Sequence, residues 1–246
     1  MADLDSPAAF IERVIRDFLT GPENSLTDSG GEPAWEEFLL GFCRGDDPIW
    51  GGYKAEHIGP FHWTPVEAFN MIFSESPARA SELTVAAWIL PQREATKADN
   101  RKEKTYPAER WARARIFGER ANAKLRQRVV DALSGAETDA TAPQLSPHWA
   151  RHTSKRFGFA STWSERHAAH ACGLGTFGLC DGLITAKGKA HRVGSIIGRF
   201  DLEPVPRSYS DHRAYCLFFT TGRCLECVDR CPVGALSRSG HDKVKC

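Results

Sequence analysis

The spacing of the cysteines constrains this chain more than any other feature. Five of the eight cysteines lie in the last 31 of the 246 residues: Cys216, Cys224, Cys227, Cys231 and Cys246. A secreted disulfide-bonded protein usually distributes its cysteines through a short chain, whereas a tight cluster in a chain without that framework is typical of metal or cofactor binding. The cluster therefore predicts a metal or redox site near the C-terminus.

The order of these cysteines indicates which kind of site. The segment reads Cys216-x7-Cys224-x2-Cys227-x3-Cys231-Pro232, which matches the bacterial ferredoxin run C-x2-C-x2-C-x3-C-P except that the first gap is longer. The proline fixes its φ angle and turns the chain away from the last cysteine. The spacing predicts at least one 4Fe–4S cluster. Structural zinc is the alternative, although zinc sites usually pair two C-x2-C knuckles.

The number of clusters stays open. In two-cluster ferredoxins the cysteine before the proline binds the other cluster. On that pattern Cys216, Cys224 and Cys227 hold one cluster with a further thiolate, Cys231 belongs to a second, and another cysteine motif is expected beyond Cys246. A single cluster that uses Cys231 or Cys246 as its fourth ligand is the alternative.

The rest of the sequence predicts an α/β (α+β) body. Helical periodicity and stop signals predict helices from Pro7 to Gly21 and from Pro107 to about Ser134, and a third over residues 161–171. Apolar runs predict strands at residues 83–90, 183–185 and 193–200. We therefore predict a cofactor-binding body over residues 1–203 and, after a linker rich in proline and serine, a small ferredoxin-like segment over residues 204–246.

Composition and hydropathy indicate the class of protein and where it is located in the cell. The chain is 41% hydrophobic and 26% charged, as in ordinary globular proteins. It contains no run near the ~18 apolar residues of a membrane span and no recognisable signal peptide. We expect a cytoplasmic protein with no membrane partner.

A glycine motif precedes the cysteines. Gly173, Gly175 and Gly178 spell G-x-G-x-x-G, but a dinucleotide-binding fingerprint needs a strand before it and a helix after it. Here a predicted helix precedes the motif and a predicted strand follows it, so we discount a dinucleotide site with Asp201 as its ribose acid. The glycines indicate a tight turn against a ligand or a neighbouring strand.

The glycine turn, the strand that ends at Thr185, the Arg192-Val-Gly strand and the cysteine run follow one another in a specific order. Over about residues 160–246 this order resembles the epoxyqueuosine reductases and the corrinoid-dependent reductive dehalogenases. The resemblance implies a nitroreductase-like body that holds cobalamin near Gly173, Gly175, Gly178 and Arg192. It also implies that iron–sulfur clusters reduce the cobalt to a nucleophilic Co(I) state, which removes an oxygen or a halogen reductively. A small electron donor of the ferredoxin or flavodoxin type, and a tRNA, are the partners that it suggests.

The sequence departs from these families at several points. The aspartate that the epoxyqueuosine enzymes carry upstream of the glycine turn falls on Phe159, so no catalytic residue is assigned; Glu165 and His167 lie nearby. The twin-arginine signal of the dehalogenases is absent, and so is a D-x-H-x-x-G corrinoid motif. The resemblance therefore predicts an iron–sulfur, cobalamin-dependent reductase without a named substrate. A non-catalytic electron carrier or iron–sulfur subunit, and an RNA-binding protein with a structural cluster, are the alternatives.

Charge is unevenly distributed along the chain. Residues 1–96 contain six basic and 16 acidic side chains, whereas residues 97–246 contain 26 and 15. This asymmetry predicts either a surface for a nucleic acid or an acidic partner, or packing of the two halves against each other. The basic face over residues 97–128 predicts either a surface for a tRNA backbone or a solvated helix face. The pairs His148/His152 and His167/His170 would suit a metal if helical, but the favoured interpretation is surface or core histidines. Cys172 and Cys180, on either side of the glycine turn, are interpreted first as small buried side chains and second as redox-active thiols, and Cys43 as a core residue.

Overall fold

The computed structural model describes residues 6–154 and 158–246. Its α-helices are α1 (Pro7–Thr20), α2 (Ile49–Gly52), α3 (Pro65–Ile72), α4 (Glu94–Lys102), α5 (Glu109–Gly135), α6 (Glu165–Ala171), α7 (Leu217–Thr221) and α8 (Glu226–Asp229). Its strands are β1 (Leu39–Arg44), β2 (Thr84–Pro91), β3 (Ala140–Thr141), β4 (Arg151–Ser154), β5 (Gly158–Ser161), β6 (Thr176–Phe177), β7 (Leu183–Ile184), β8 (His191–Gly198), β9 (Leu236–Ser237) and β10 (Gly240–His241). The predicted α+β class is confirmed.

The centre of the body is an antiparallel sheet with the strand order β1-β2-β8-β3. Strand β2 is buried along its whole length. Because side chains alternate across a strand, Val85, Ala87 and Ile89 enter one hydrophobic cluster, while Ala86, Trp88 and Leu90 enter the other. The sheet thus separates two cores.

Helices α1 and α5 cover one face of the sheet. Ser6 caps α1, with its Oγ accepting a hydrogen bond from the Ala9 N–H, and Pro7 occupies the first turn. The Trp88 Nε1–H donates to Asn122 Oδ1 of α5 at 3.0 Å, and Asn122 Nδ2 donates to the Val193 carbonyl at 2.9 Å. This buried chain of hydrogen bonds fixes α5 against β2 and β8.

Helix α6 and the segment from α2 to α3 cover the other face. Trp50 and Trp163 stack with ring centroids 5.6 Å apart, and the chain from Tyr53 to His57 forms one turn of π-helix. Cys43 and Cys172 are buried in this core, as predicted.

One predicted helix needs a shorter range, and one helix of the structure was not predicted. The helix predicted over residues 161–171 begins only at Glu165, because Ser161 ends strand β5 and the chain turns before the helix. The polar stretch after Pro91 contains the helix α4. Thr96 is the only buried residue of this helix, so its sequence has no apolar stripe from which a helix could be predicted.

Among the described residues, no helix combines the length and apolar character that crossing a membrane requires. The division into a body over residues 1–203 and a segment over residues 204–246 stays a prediction. The nitroreductase-like and ferredoxin-like details of the fold also remain predictions.

Candidate functional site

The clustered cysteines lie on two short helices and the turns around them. Cys216 immediately precedes α7, Cys227 lies in α8, and Cys224 and Cys231 lie on either side of α8. Cys216 is buried, the next three are half-buried, and Cys246 is exposed. The turns therefore present several thiols on one small segment.

Cys231 lies where the backbone favours a thiolate. Its Sγ accepts a hydrogen bond from the Ala235 N–H at 3.2 Å, inside the turn that follows Pro232. Desolvation raises the pKa of Cys231, but the backbone amides of residues 233–236 lower it by more, so that its pKa lies below the usual value. A thiolate is the form that binds metals and clusters.

Cys227 has a neighbour that the sequence analysis missed. Burial raises the pKa of Cys227, the nearby Cys180 and Cys216 thiols raise it further, and Lys189 opposes them. Cys180 is half-buried in the turn between β6 and β7, so its earlier interpretation as a buried apolar side chain is incomplete. In the sequence, only the position of Cys180 directly after the glycine turn could have suggested a role beside the cysteine segment.

Within residues 6–154 and 158–246, no three His, Cys, Asp or Glu side chains are arranged around one point as a single metal ion requires. A cubane differs from a single ion because each thiolate binds a different iron, so its ligands stand further apart. The donor set, with four cysteines on one segment and a thiolate-stabilising turn at Cys231, fits such a cluster in its chemistry. The roles predicted for Cys216, Cys224, Cys227, Cys231 and Cys246 stay predictions.

The glycine turn packs against the protein's own chain. Gly173 follows α6 with a φ of +79°, and a Cβ there would lie 3.2 Å from Val205 Cγ1. A Cβ at Gly175 would lie 2.3 Å from the Ile184 carbonyl oxygen, and one at Gly178 would lie 3.3 Å from Ile184 Cδ1. The close pairing of β6 with β7 thus explains Gly175 and Gly178, whereas Gly173 is explained by its positive φ and the approach of Val205. Their role toward a cofactor stays a prediction.

The cysteine segment rests on this β6–β7 hairpin. The Phe177 N–H donates to the His212 carbonyl at 2.8 Å, and the Tyr215 N–H donates to Thr176 Oγ1 at the same distance. On the other side, His241 Nδ1 lies 3.2 Å from the Asp181 carboxylate. The hairpin is thus held between the beginning and the end of the segment.

A large cavity opens beside the hairpin, with a volume of about 960 Å³. Its walls come from α5, the β4–β5 hairpin, the start of α6 and the start of β8. Arg192, predicted from the resemblance as a cofactor residue, lines this cavity, whereas Gly173, Gly175 and Gly178 are not among its lining residues. The volume is at the upper end of the range for small-molecule sites.

Glu165 is a buried acid in the cavity wall. Its Oε1 lies 3.0 Å from Arg126 Nε, and its Oε2 accepts a hydrogen bond from Ser195 Oγ at 2.5 Å. Burial raises the pKa of Glu165 to about 7, although Arg126 and Ser195 both act to lower it. A carboxyl group that titrates near neutral pH in a cavity is suited to hold and release a proton.

Five histidines surround Tyr53 and Phe177, and the first and third of them also line the cavity: His57, His62, His167, His170 and His212. The His170 Nδ1 atom lies 2.6 Å from the Tyr53 hydroxyl. Burial lowers the pKa of His62 and of His212 to about 4, and that of His170 to about 3. The rings of His62, His170 and His212 are therefore neutral at pH 7. The sequence spreads the five histidines over more than 150 residues, so only the fold reveals the cluster.

The helical spacing that a metal site would need exists in one of the two histidine pairs. His148 lies in a turn and His152 on β4, so the helical spacing does not exist. His167 and His170 do share α6. Their Nδ1 atoms contact Ser164 Oγ and the Tyr53 hydroxyl, respectively, so both rings are bonded within the protein, as core histidines would be.

The basic face of α5 packs against acids from the first half of the chain. Arg120 lies 3.0 Å from Asp28, and Lys124 and Arg128 lie 3.4 Å and 3.7 Å from Glu23. Of the two interpretations of the charge asymmetry, these contacts favour packing between the halves.

No protein-family model matches this chain, and no curated protein sequence matches it. Among solved structures, it is similar to epoxyqueuosine reductases from Streptococcus thermophilus (13% identity, TM-score 0.45, 97% of this chain and 56% of that one) and Bacillus subtilis (14%, 0.45, 98% and 56%). A catabolic reductive dehalogenase is also similar (13%, 0.46, 94% and 30%). The chain thus spans about half the length of the epoxyqueuosine reductases. Both classes that the sequence resembles are thus among the solved structures to which the chain is similar.

Proposed function

We propose that this protein is an iron–sulfur oxidoreductase, and more specifically a cytoplasmic reductase related to epoxyqueuosine reductase. Residues 204–246 would hold one or two 4Fe–4S clusters, and residues 1–203 would form a nitroreductase-like body for the cofactor and the substrate. The observation that carries the proposal is the turn at Cys231. A C-x3-C-P run whose last sulfur accepts a backbone hydrogen bond is suited to a thiolate ligand of a cluster.

Electron transfer needs the cluster close to the reacting centre. The cysteine segment contacts the β6–β7 hairpin, and Gly182 and Leu183 of this hairpin also line the cavity. Only the β6–β7 hairpin would therefore separate the cavity from a cluster bound at Cys216 and Cys227. A ferredoxin or flavodoxin is the type of donor that such a cluster accepts electrons from.

Cobalamin is the cofactor that we propose for the cavity. When bound, it would supply a reducible cobalt that turns single electrons into reductive removal of an oxygen or a halogen. Arg192 and Gly182 lie in the wall and would contact the bound group or the substrate. Glu165 would hold the proton that a reductive cleavage consumes, in place of the aspartate that the sequence lacks at Phe159.

A non-catalytic electron carrier is the second candidate. A carrier needs an exposed cluster but has no use for a large cavity with a buried acid of raised pKa, so Glu165 favours the enzyme. An RNA-binding protein with a structural cluster is the third. One solved neighbour is an epoxyqueuosine reductase with a tRNA stem loop, and tRNA remains a partner that we propose to test.

Retention of cobalamin distinguishes the enzyme from the carrier. The protein should be reconstituted anaerobically with iron, sulfide and cobalamin and then desalted, and the bound corrinoid should be read from its visible spectrum. We expect about one cobalamin per chain. An iron–sulfur protein that retains no cobalamin would support the electron carrier instead.

A further inference from the structure

The ferredoxin-like run leaves one ligand position of its cluster open. A cubane is held by four thiolates, each on a different iron. Cys216, Cys224 and Cys227, here the three segment cysteines, supply three of them. On the two-cluster pattern Cys231, which precedes the proline, belongs to another cluster. Three residues before Cys224, where the ferredoxin run has its first cysteine, this chain has Thr221, so a thiolate is needed from elsewhere.

Cys180 lies in the tight turn of the hairpin on which the cysteine segment rests. The Asp181 N–H donates to the Gly178 carbonyl at 3.0 Å, and the Gly178 N–H donates to the Gly182 carbonyl at 2.8 Å. Directly beside Cys180, the Asp181 carboxylate lies 3.2 Å from His241 Nδ1 of the segment. The turn and this contact hold Cys180 against the cysteine segment.

The thiols of Cys180 and Cys227 are near neighbours. Cys180 raises the pKa of Cys227 by more than Cys216 does. Burial strengthens the repulsion between charges, and Cys216 is buried whereas Cys180 is half-buried. The larger effect of Cys180 therefore reflects a shorter distance to Cys227. A thiol of the body thus lies among the thiols of the segment.

A cation lies beside the same thiols. A Cβ at Gly182 would lie 3.2 Å from Cys180 Sγ and 3.5 Å from Lys189 Cε, so the two side chains approach one point. Lys189 also acts to lower the pKa of Cys227. A nearby lysine favours the thiolate form of a cysteine. It would also offset part of the negative charge that four thiolates bring to a cubane.

We propose that Cys180 supplies the fourth thiolate to the cluster that the three segment cysteines hold. In this ligation the Cys180 thiol loses its proton and its sulfur binds one iron. The inference rests on the proposed cluster and assigns one of its ligands to the cofactor-binding body. The cluster would then join the β6–β7 hairpin to the tail, in addition to the hydrogen bonds between them.

This ligand would bring the cluster to the wall of the cavity. Cys180 is two residues from Gly182, which lines the cavity, and Lys189 lines it as well. An electron that leaves the cluster through Cys180 would reach the wall along two residues of continuous chain. The three segment cysteines offer only non-covalent contacts across the hairpin.

Iron content and electron paramagnetic resonance of Cys180→Ala test the ligand directly. Protein reconstituted without oxygen should be compared with the wild type for iron and sulfide per chain. Each thiolate holds one iron of a cubane, so we expect the variant to lose at least about one iron per chain. The spectrum should show an oxidised 3Fe–4S cluster in place of the cubane, or no cluster.

Cys172→Ala is the matched control for the loss of a thiol. Cys172 lies on the other side of the glycine turn, where its thiol is buried and donates to the Val85 carbonyl at 3.4 Å. It should keep the iron content and the spectrum of the wild type. Wild-type iron and spectrum in Cys180→Ala would overturn the inference and leave the proposed cluster standing.

Labelling of the wild type makes the test independent of how well the variants fold. A maleimide should be applied to the cluster-loaded protein and to the same protein after a chelator has removed the iron, with the labelled peptides identified by mass spectrometry. Cys180 should be protected in the loaded form and labelled in the other. Equal labelling of Cys180 in both forms overturns the inference. A wild type that binds neither iron nor sulfide would overturn both the inference and the proposed function.

Discussion

Glu165 Oε1 and Arg126 Nε lie 3.0 Å apart in the cavity wall, with 12% and 2% of their side chains exposed. Burial of the acid outweighs this favourable contact, and the pKa of Glu165 rises to about 7. The pair therefore keeps a proton available near neutral pH.

Replacement of Glu165 should change how stability depends on pH. A buried acid with a raised pKa binds more protons in the folded state than in the unfolded state between about pH 4.5 and 7, so its contribution to stability falls as the pH rises through that range. For Glu165→Gln this contribution is absent. Urea unfolding at pH 5 and pH 7 should show the stability of the wild type declining relative to the variant, by at most about 1.4 kcal/mol per pH unit. If the difference in stability between the two proteins were the same at pH 5 and pH 7, the raised pKa of Glu165 would be contradicted.

The buried histidines should make folding stability depend on pH in the opposite direction. Burial lowers the pKa of His62 to about 4 and that of His170 to about 3, so the unfolded chain binds more protons than the folded one below about pH 6.5. Stability should therefore fall as the pH decreases from 6.5 toward 4. In His62→Gln the fall should be shallower, whereas the exposed His148→Gln should retain the slope of the wild type. Parallel pH profiles for all three proteins would show that His62 is not buried in its neutral form.

Gly194 tests the centre of the sheet. It pairs with Trp88 across β2 and β8, and a Cβ there would lie 2.4 Å from Trp88 Cε2. Gly194→Ala should therefore cost about 1–3 kcal/mol through overpacking and lower the melting temperature by about 3–10 °C. Gly135→Ala is the control, because nothing lies within 4 Å of the added carbon at that helix end. Equal melting temperatures for the two variants would contradict the described β2–β8 register.

The basic face of α5 should contribute little to RNA binding. Asp28 and Glu23 already compensate Arg120 and Arg128, so replacing both arginines by glutamine should change the affinity for a tRNA by less than about threefold. Filter binding at several salt concentrations checks this result. A large loss of affinity, with a reduced salt slope, would instead make this face a phosphate-contacting surface.

The sequence predicts the regular parts of this fold well, because they depend on local patterns. The apolar run before Pro91 becomes β2, and the stripe after Pro107 becomes α5, close to the predicted ends. The polar helix α4 was missed because it buries almost nothing, so no periodic stripe marks it.

The site was less predictable, because most of it is assembled from distant segments. The cysteine run was predicted from its local spacing and Arg192 from the resemblance, and their roles stay predictions. By contrast, the Arg126–Glu165 pair joins α5 to α6, and no local pattern specifies that contact. The proximity of Cys180 to Cys227 likewise depends on how the tail rests on the β6–β7 hairpin.

Replacement of Cys227 tests directly whether this residue binds the proposed cluster. If it binds iron, Cys227→Ala should lose the broad absorption band near 400 nm that is usual for thiolate-bound clusters. Cys43→Ala is a comparison at a cysteine buried in the core, and it should keep the band even if it is less stable. Retention of the full band in Cys227→Ala would remove Cys227 from the ligand set.

The most direct test of the account is the iron and acid-labile sulfide content of protein purified without oxygen. The proposed cluster predicts a brown protein with equal amounts of iron and sulfide. One cubane requires about four of each per chain, and two cubanes require about eight. One zinc per chain, with neither iron nor sulfide, would contradict it.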